Sequence, residues 1–141
     1  MEAIFLPIKP VYASRIISGE KIYEFRKTMP ARRVSHIVIY ASSPQQAIVG
    51  IAQVDKVLSA PVEKLWEQTS KSAGIDKISY LKYFCGKEIA YAYQLKKIRK
   101  LSQNISPHDL WENFTIPQSF RYLPRILFEQ VNSLDTENEA D

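Results

Sequence analysis

The chain has 141 residues, of which 45% are hydrophobic and 24% charged, and a net charge of +4. This length and balance fit one globular domain with its own core and exclude a wholly disordered chain. No apolar run approaches the ~20 residues that cross a bilayer, and residues 1–10 lack a basic stretch followed by a long apolar core, so neither a membrane span nor a secretory leader is expected.

Taken in chain order, Ala3–Ile8 reads as a first strand. Pro10 then opens a short helix to Ser18, since proline is tolerated in the first helical turn, and Tyr12 and Ile16 face the core four residues apart. Gly19 follows as the C-terminal cap. Residues 21–28 alternate as a strand, with Ile22, Glu24 and Arg26 on one face and Tyr23 and Phe25 on the other. His36–Ala41 is a near-continuous apolar run rich in β-branched residues, a strand buried on both faces, and Ser42-Ser43-Pro44 ends it. Ala47–Val57 is a longer strand, where Gly50 marks a bulge or a close backbone approach.

Pro61 is expected at the first position of a helix whose apolar stripe is Val62, Leu65, Trp66 and Thr69. Ser70–Ile75 is polar and breaks it. Asp76 caps the next helix, with Ile78, Leu81 and Cys85 as its inner face and Gly86 as its stop. Ile89–Leu101 is a further strand. Ser106-Pro107-His108-Asp109 starts a helix with Leu110, Trp111 and Phe114 on its apolar side. Residues 118–122 read as a last strand or as the lining of a cleft, and residues 125–131 as a terminal helix. Adjacent strands with clustered helices indicate an α+β domain, and five or six strands in so short a chain suit a small β-barrel surrounded by short helices. The domain is expected over 1–131, followed by an acidic, disordered tail over 132–141.

Charge is unevenly placed. All 19 basic residues lie at or before Arg125, together with ten of the 15 acids, so residues 1–125 carry +9 and the remainder −5. A body this basic suits a polyanion such as RNA or a nucleotide. The cluster Lys96-Lys97-Ile98-Arg99-Lys100, with Arg32-Arg33, reads as a phosphate contact or as a solvated face. Tyr40, Tyr91 and Tyr93 read as stacking platforms or as half-buried barrel residues.

The sharpest local feature is Gly19-Glu20-Lys21-Ile22-Tyr23-Glu24-Phe25-Arg26, a G-x-K-x-x-E-x-R pattern running from a helix end into a strand. Lys21 leaves the glycine turn with some freedom from strand register. Glu24 and Arg26 share a strand face about 6.6 Å apart. They can pair and close the barrel end beside a solvated Lys21. Alternatively, the three face a ligand: arginine offers a fork to phosphate, and lysine and glutamate move protons. The pattern resembles the signature of the activating signal cointegrator homology (ASCH) domain, a branch of the PUA-like superfamily. Leu6-Pro7 in the first strand, Tyr40-Ala41-Ser42-Ser43-Pro44 and Val49-Gly50 extend the likeness over roughly residues 3–101.

The resemblance implies a PUA-like barrel with a cleft along the motif for RNA or a nucleoside-like ligand. Gly19, Arg26, Tyr40, Ser42, Ser43, Ser119 and Tyr122 are then the expected ligand contacts, and Lys21 and Glu24 the expected catalytic pair if the chain is an enzyme. Family members that hydrolyse acetylated cytidine share Gly19, Lys21 and Arg26 but carry a threonine nucleophile where this chain has Glu24. A carboxylate does not replace that hydroxyl, and Glu67 is the nearest match to their acid. Other members are ribonucleases, for which Lys21, Glu24 and Arg26 would act as acid, base and phosphate clamp without a metal. Related domains also imply a third reading, a transcription-linked protein-interaction module.

One cysteine, Cys85, forms no intrachain disulfide and is expected in buried helix packing; with no leader, the chain is expected in the cytoplasm. His36 and His108 lack partners at zinc-ligand spacing. No P-loop or G-x-G-x-x-G is present, so no metal or cofactor is expected.

Overall fold

Residues 2–137 are described by a computed structural model. The strands are β1 (Glu2–Ile8), β2 (Tyr23–Arg26), β3 (Val34–Ala41), β4 (Ala47–Pro61), β5 (Ile89–Ile105) and β6 (Arg121–Leu123). The helices are α1 (Pro10–Ile17), α2 (Val62–Thr69), α3 (Lys77–Tyr83), α4 (Pro107–Leu110) and α5 (Arg125–Asn132). This is the expected α+β arrangement.

The six strands form one mixed sheet in the order β2-β5-β4-β3-β1-β6. The parallel β1–β3 pair lies near its centre and runs from Glu2↔Val34 to Ile8↔Ala41. Both strands are buried on both faces, as their apolar runs require. Ile4, Leu6, Ile37 and Ile39 join a first core cluster with α1, while Phe5, Val38 and Tyr40 join a second with Trp111, Phe114 and Phe128. A third cluster, built on Phe25, Leu65, Tyr80 and Phe84, lies under α2 and α3.

Backbone bonds do not close the sheet into the expected barrel: β2 and β6 are its two edges. These strands have only four and three residues, too few to complete a ladder. Side chains reach across instead. Arg26 on β2 donates to the Pro7 carbonyl at the end of β1 (3.0 Å), and the Arg32 backbone N–H donates to the Tyr122 hydroxyl on β6 (2.9 Å).

Several local expectations shift. Pro61 is the last residue of β4 and caps α2 from outside, so the helix starts at Val62. Asp76 caps α3 as expected, accepting from the Ser79 N–H at 2.8 Å. The inner face of α3 carries Tyr80 and Phe84, however, while Ile78 is 80% exposed and Cys85 is exposed. The Tyr80 hydroxyl donates to the Val62 carbonyl (2.7 Å), so a large ring with a satisfied polar tip takes the buried place.

The segment expected to be a free acidic tail begins inside α5, at Asn132. Through Glu137 it lies on the outer edge of β5: Thr136 bridges Leu101, and the backbone N–H groups of Ser102 and Glu137 donate to Asp135 and Lys100 carbonyls at 2.9 and 2.8 Å. An unpaired strand edge recruits backbone partners, which accounts for this docking. Residues 138–141 of the expected tail lie outside the described residues.

Gly50 behaves as expected. The β4–β5 register shifts between Ile48 and Gly50, and a Cβ at Gly50 would stand 2.5 Å from Ile17 Cδ1 and 2.7 Å from the Arg99 carbonyl oxygen. Gly50→Ala therefore lowers the urea midpoint, by about 2 kcal/mol of stability at unchanged slope. An unchanged midpoint would refute the close approach of α1 to this bulge.

Candidate functional site

The site begins where α1 stops. Gly19 takes φ +87°, a left-handed value that reverses the chain, and the Lys21 N–H donates back to the Arg15 carbonyl at 2.9 Å. The Ile22 N–H donates to the Ser72 carbonyl at 3.1 Å, so the turn is tied to the segment between α2 and α3. Lys21 therefore does not project into solvent; it is 2% exposed. Its Nζ donates to the Ala73 carbonyl at 2.9 Å and lies over the rings of Phe25 (4.7 Å) and Tyr12 (5.5 Å).

Gly74 makes room for it. A Cβ there would stand 2.3 Å from Lys21 Cβ, and φ is +65°. Arg15 Nη1 donates to the Gly74 carbonyl at 2.8 Å and fixes the same turn from outside. Burial pushes the Lys21 ammonium down from 10.5 to about 8; Glu24 resists this, and the neighbouring Arg15 and Arg26 charges add to it.

Glu24 and Arg26 do pair. One carboxylate oxygen, Oε2, accepts from Arg26 Nη2 at 2.8 Å and from Nε at 3.1 Å. Glu24 is buried and Arg26 partly so. With Lys21 they line a cavity of about 500 Å³ between the end of β1, α1, β2 and α3. Lys9, Lys21, Arg26 and Lys82 supply four cations to its wall, against the single carboxylate of Glu24. Tyr12, Ser79 and Tyr83 add polar and aromatic surface. Such a wall suits an anion with an attached ring.

A second cavity, of about 530 Å³, lies at the other end of β1 and is lined by Glu2, His36, Arg125 and Glu129 among others. Burial lowers the His36 pKa, so two carboxylates oppose one arginine there, and it is the poorer anion site.

The structure thus gathers Lys21, Glu24 and Arg26 and leaves the other expected contacts outside the cavity wall. Gly19 serves as the turn. Tyr40 is 5% exposed with its ring 5.0 Å from Phe5, in the second core cluster. Ser42 bonds the Ile8 carbonyl through its backbone N–H (2.9 Å), and Ser43 Oγ accepts from Gln46 (3.0 Å). Ser119 is exposed and Tyr122 packs on the first cluster. Glu67 is exposed on α2. Lys9, Ser79, Lys82 and Tyr83 were not singled out by the sequence. Their one signal is that Ser79, Lys82 and Tyr83 recur at helical spacing opposite Tyr80 and Phe84. Among the described residues, no three His, Cys, Asp or Glu side chains gather as a metal-holding group.

The buried lysine makes stability depend on pH with a definite sign. Between pH 8 and 10.5 the unfolded chain holds a proton on Lys21 that the folded chain has released, so stability rises with pH across that window. The full effect is about 3 kcal/mol at about 1.4 kcal/mol per pH unit. The Tyr80 and Tyr93 hydroxyls, pushed up to about 12 by burial, act oppositely above pH 10 and are common to wild type and variant. In urea unfolding, wild type should gain on Lys21→Met as pH rises from 8 to 10.5; parallel curves would contradict the burial of the charge.

Comparison with known proteins bears on the family and the fold. The ASCH domain model matches residues 6–102. An ASCH domain-containing ribonuclease of Zymomonas mobilis is 31% identical over 137 residues, covering 92% of this chain and 90% of that one. The crystal structure of the Zymomonas mobilis ASCH protein superposes with a TM-score of 0.86 at 29% identity, covering 96% of each chain. The N-terminal domain of Staphylothermus marinus McrB shares the fold alone, with a TM-score of 0.62 at 11% identity and 93% coverage of each chain. With the family pattern spread over most of the sequence and the fold matched end to end, the chain belongs to the ASCH domain family.

Proposed function

We propose that the chain binds single-stranded RNA, seats one nucleotide in the cleft at Lys21, Glu24 and Arg26, and cleaves the strand there. The observation that carries this reading is the buried Lys21 amine on a wall with four cations and one carboxylate. The Zymomonas mobilis relative described as a ribonuclease supports the choice of RNA.

Each group has a role that follows from its surroundings. Lys21, with its pKa brought down to about 8, keeps a useful neutral fraction near neutral pH. Its neutral Nζ takes the proton of a ribose 2′-hydroxyl. The 2′-oxygen attacks the adjacent phosphorus, the bond from phosphorus to the 5′-oxygen breaks, and the leaving oxygen takes a proton from water. The products are a 2′,3′-cyclic phosphate and a 5′-hydroxyl end. Arg26 and Lys82 offset the charge that builds on the non-bridging oxygens. Glu24 holds the Arg26 plane through Oε2 and moderates the fall in the Lys21 pKa.

The test is cleavage and retention of a 5′-labelled RNA oligonucleotide, with products identified by mass spectrometry. Cyclic phosphate ends should form, at a rate that rises through pH 8. Lys21→Met should lower that rate by about 10²-fold or more, the ordinary worth of a general base. With Lys9, Arg26 and Lys82 of the cavity wall as three phosphate contacts, binding should weaken roughly 20-fold between about 50 and about 200 mM salt, whereas a free nucleoside would respond little. Retention with no products would overturn the cleavage step; no retention at either salt would overturn the RNA reading itself.

A further inference from the structure

The loop over residues 27–33, which joins β2 to β3, leaves the cleft directly from Arg26. The stretch 26–33 carries Arg26, Lys27, Arg32 and Arg33, four cations in eight residues with no acid among them. Two of these rest on aromatic rings from distant parts of the chain. Lys27 Nζ lies 4.8 Å from the centre of the Tyr83 ring on α3, at the cleft wall. The Arg32 guanidinium lies 4.6 Å over the Tyr122 ring on β6, and the Arg32 N–H is held by the Tyr122 hydroxyl at 2.9 Å. A flat guanidinium fixed on a ring presents its other face as a stacking surface for a base. The nearest carboxylate to Arg32 is Glu2, at 3.9 Å and partly exposed, a weak partner that leaves this face available.

One loop, over residues 27–33, carries both stacks. Tyr122 packs against the core cluster that holds Tyr93, and Tyr93 faces Glu24 across the β2–β5 pair. The Tyr93 hydroxyl is buried and has no hydrogen-bond partner among the described residues. Arg32 follows Lys27 by five residues, so their Cα atoms are at most about 18 Å apart. A short oligonucleotide can bridge a span within that limit.

We propose that the RNA track continues out of the cleft along Arg26 and Lys27 to Arg32, where a second base stacks on the Arg32–Tyr122 pair. The ligand is then an oligonucleotide and not a free nucleoside. This inference rests on the RNA reading above and extends it to a second subsite.

The test compares uridine monophosphate with a 2′-O-methyl hexauridylate, which the proposed cleavage cannot consume, by calorimetry, using wild type, Arg32→Ala and Arg32→Lys. Wild type should bind the hexamer at least about tenfold more tightly than the monophosphate, as one added base stack implies. Arg32→Ala should lose that gain and keep its affinity for the monophosphate, and Arg32→Lys, which keeps charge without the plane, should stay close to Arg32→Ala. Equal affinity for the two ligands in wild type would overturn the second subsite while leaving the cleft reading intact. Full recovery in Arg32→Lys would replace the base seat by a simple phosphate contact and overturn it too. Binding of neither ligand would remove both proposals together.

Discussion

The site depends on placing the Lys21 ammonium in the protein interior. An amine that is 2% exposed survives there because three arrangements converge on it. The Gly19 turn aims the side chain inward, the Ala73 carbonyl accepts from Nζ, and the rings of Phe25 and Tyr12 offer their negative faces. Gly74 is required by the same packing, since any Cβ would occupy the volume of the lysine stem. The segment between α2 and α3 is thereby fastened to the end of α1, and α3 is brought to the rim of the cleft. The incomplete compensation of the buried charge is what lowers its proton affinity.

Glu24 and Arg26 solve a second problem, the join between β1 and β2, which share no ladder. Arg26 spends donors on both Glu24 Oε2 and the Pro7 carbonyl, so one guanidinium ties the edge strand β2 to β1 from the other side of the sheet. A buried ion pair contributes little stability by itself. Its consequence here is positional: the cationic plane is held in the wall of the cavity beside Lys21. The two alternatives left open by the sequence, an architectural pair and a ligand-facing pair, are therefore not exclusive in this geometry.

Much of the fold is legible in the sequence because its signals are local. Pro10 and Gly19 bound α1, Asp76 and Gly86 bound α3 and its exit, and the β-branched run at 36–41 is the doubly buried strand β3. The misread features depend on contacts distant in sequence. Apolarity favours Ile78 and Cys85 for the inner face of α3, but α3 has seven residues and tertiary contact decides its rotation; Tyr80 and Phe84 win because rings from Phe25 and Trp66 meet them. The burial of Lys21 is invisible locally, since its acceptor lies 52 residues away. Tyr40 has the spacing of a platform residue, yet it falls on the face of β3 that meets Phe5. The barrel expectation counted strands correctly but not their lengths, and β2 and β6 are too short to meet as a ladder.

The most direct test of this account is the titration of Lys21 itself, followed through its side-chain carbon and nitrogen resonances by NMR in the whole chain. The account predicts a midpoint near pH 8 in the free protein, moving upward when uridine monophosphate brings a negative charge into the cleft. A midpoint near the ordinary lysine value of 10.5, unchanged by the nucleotide, would contradict the burial of the charge and, with it, the proposed role of the cleft.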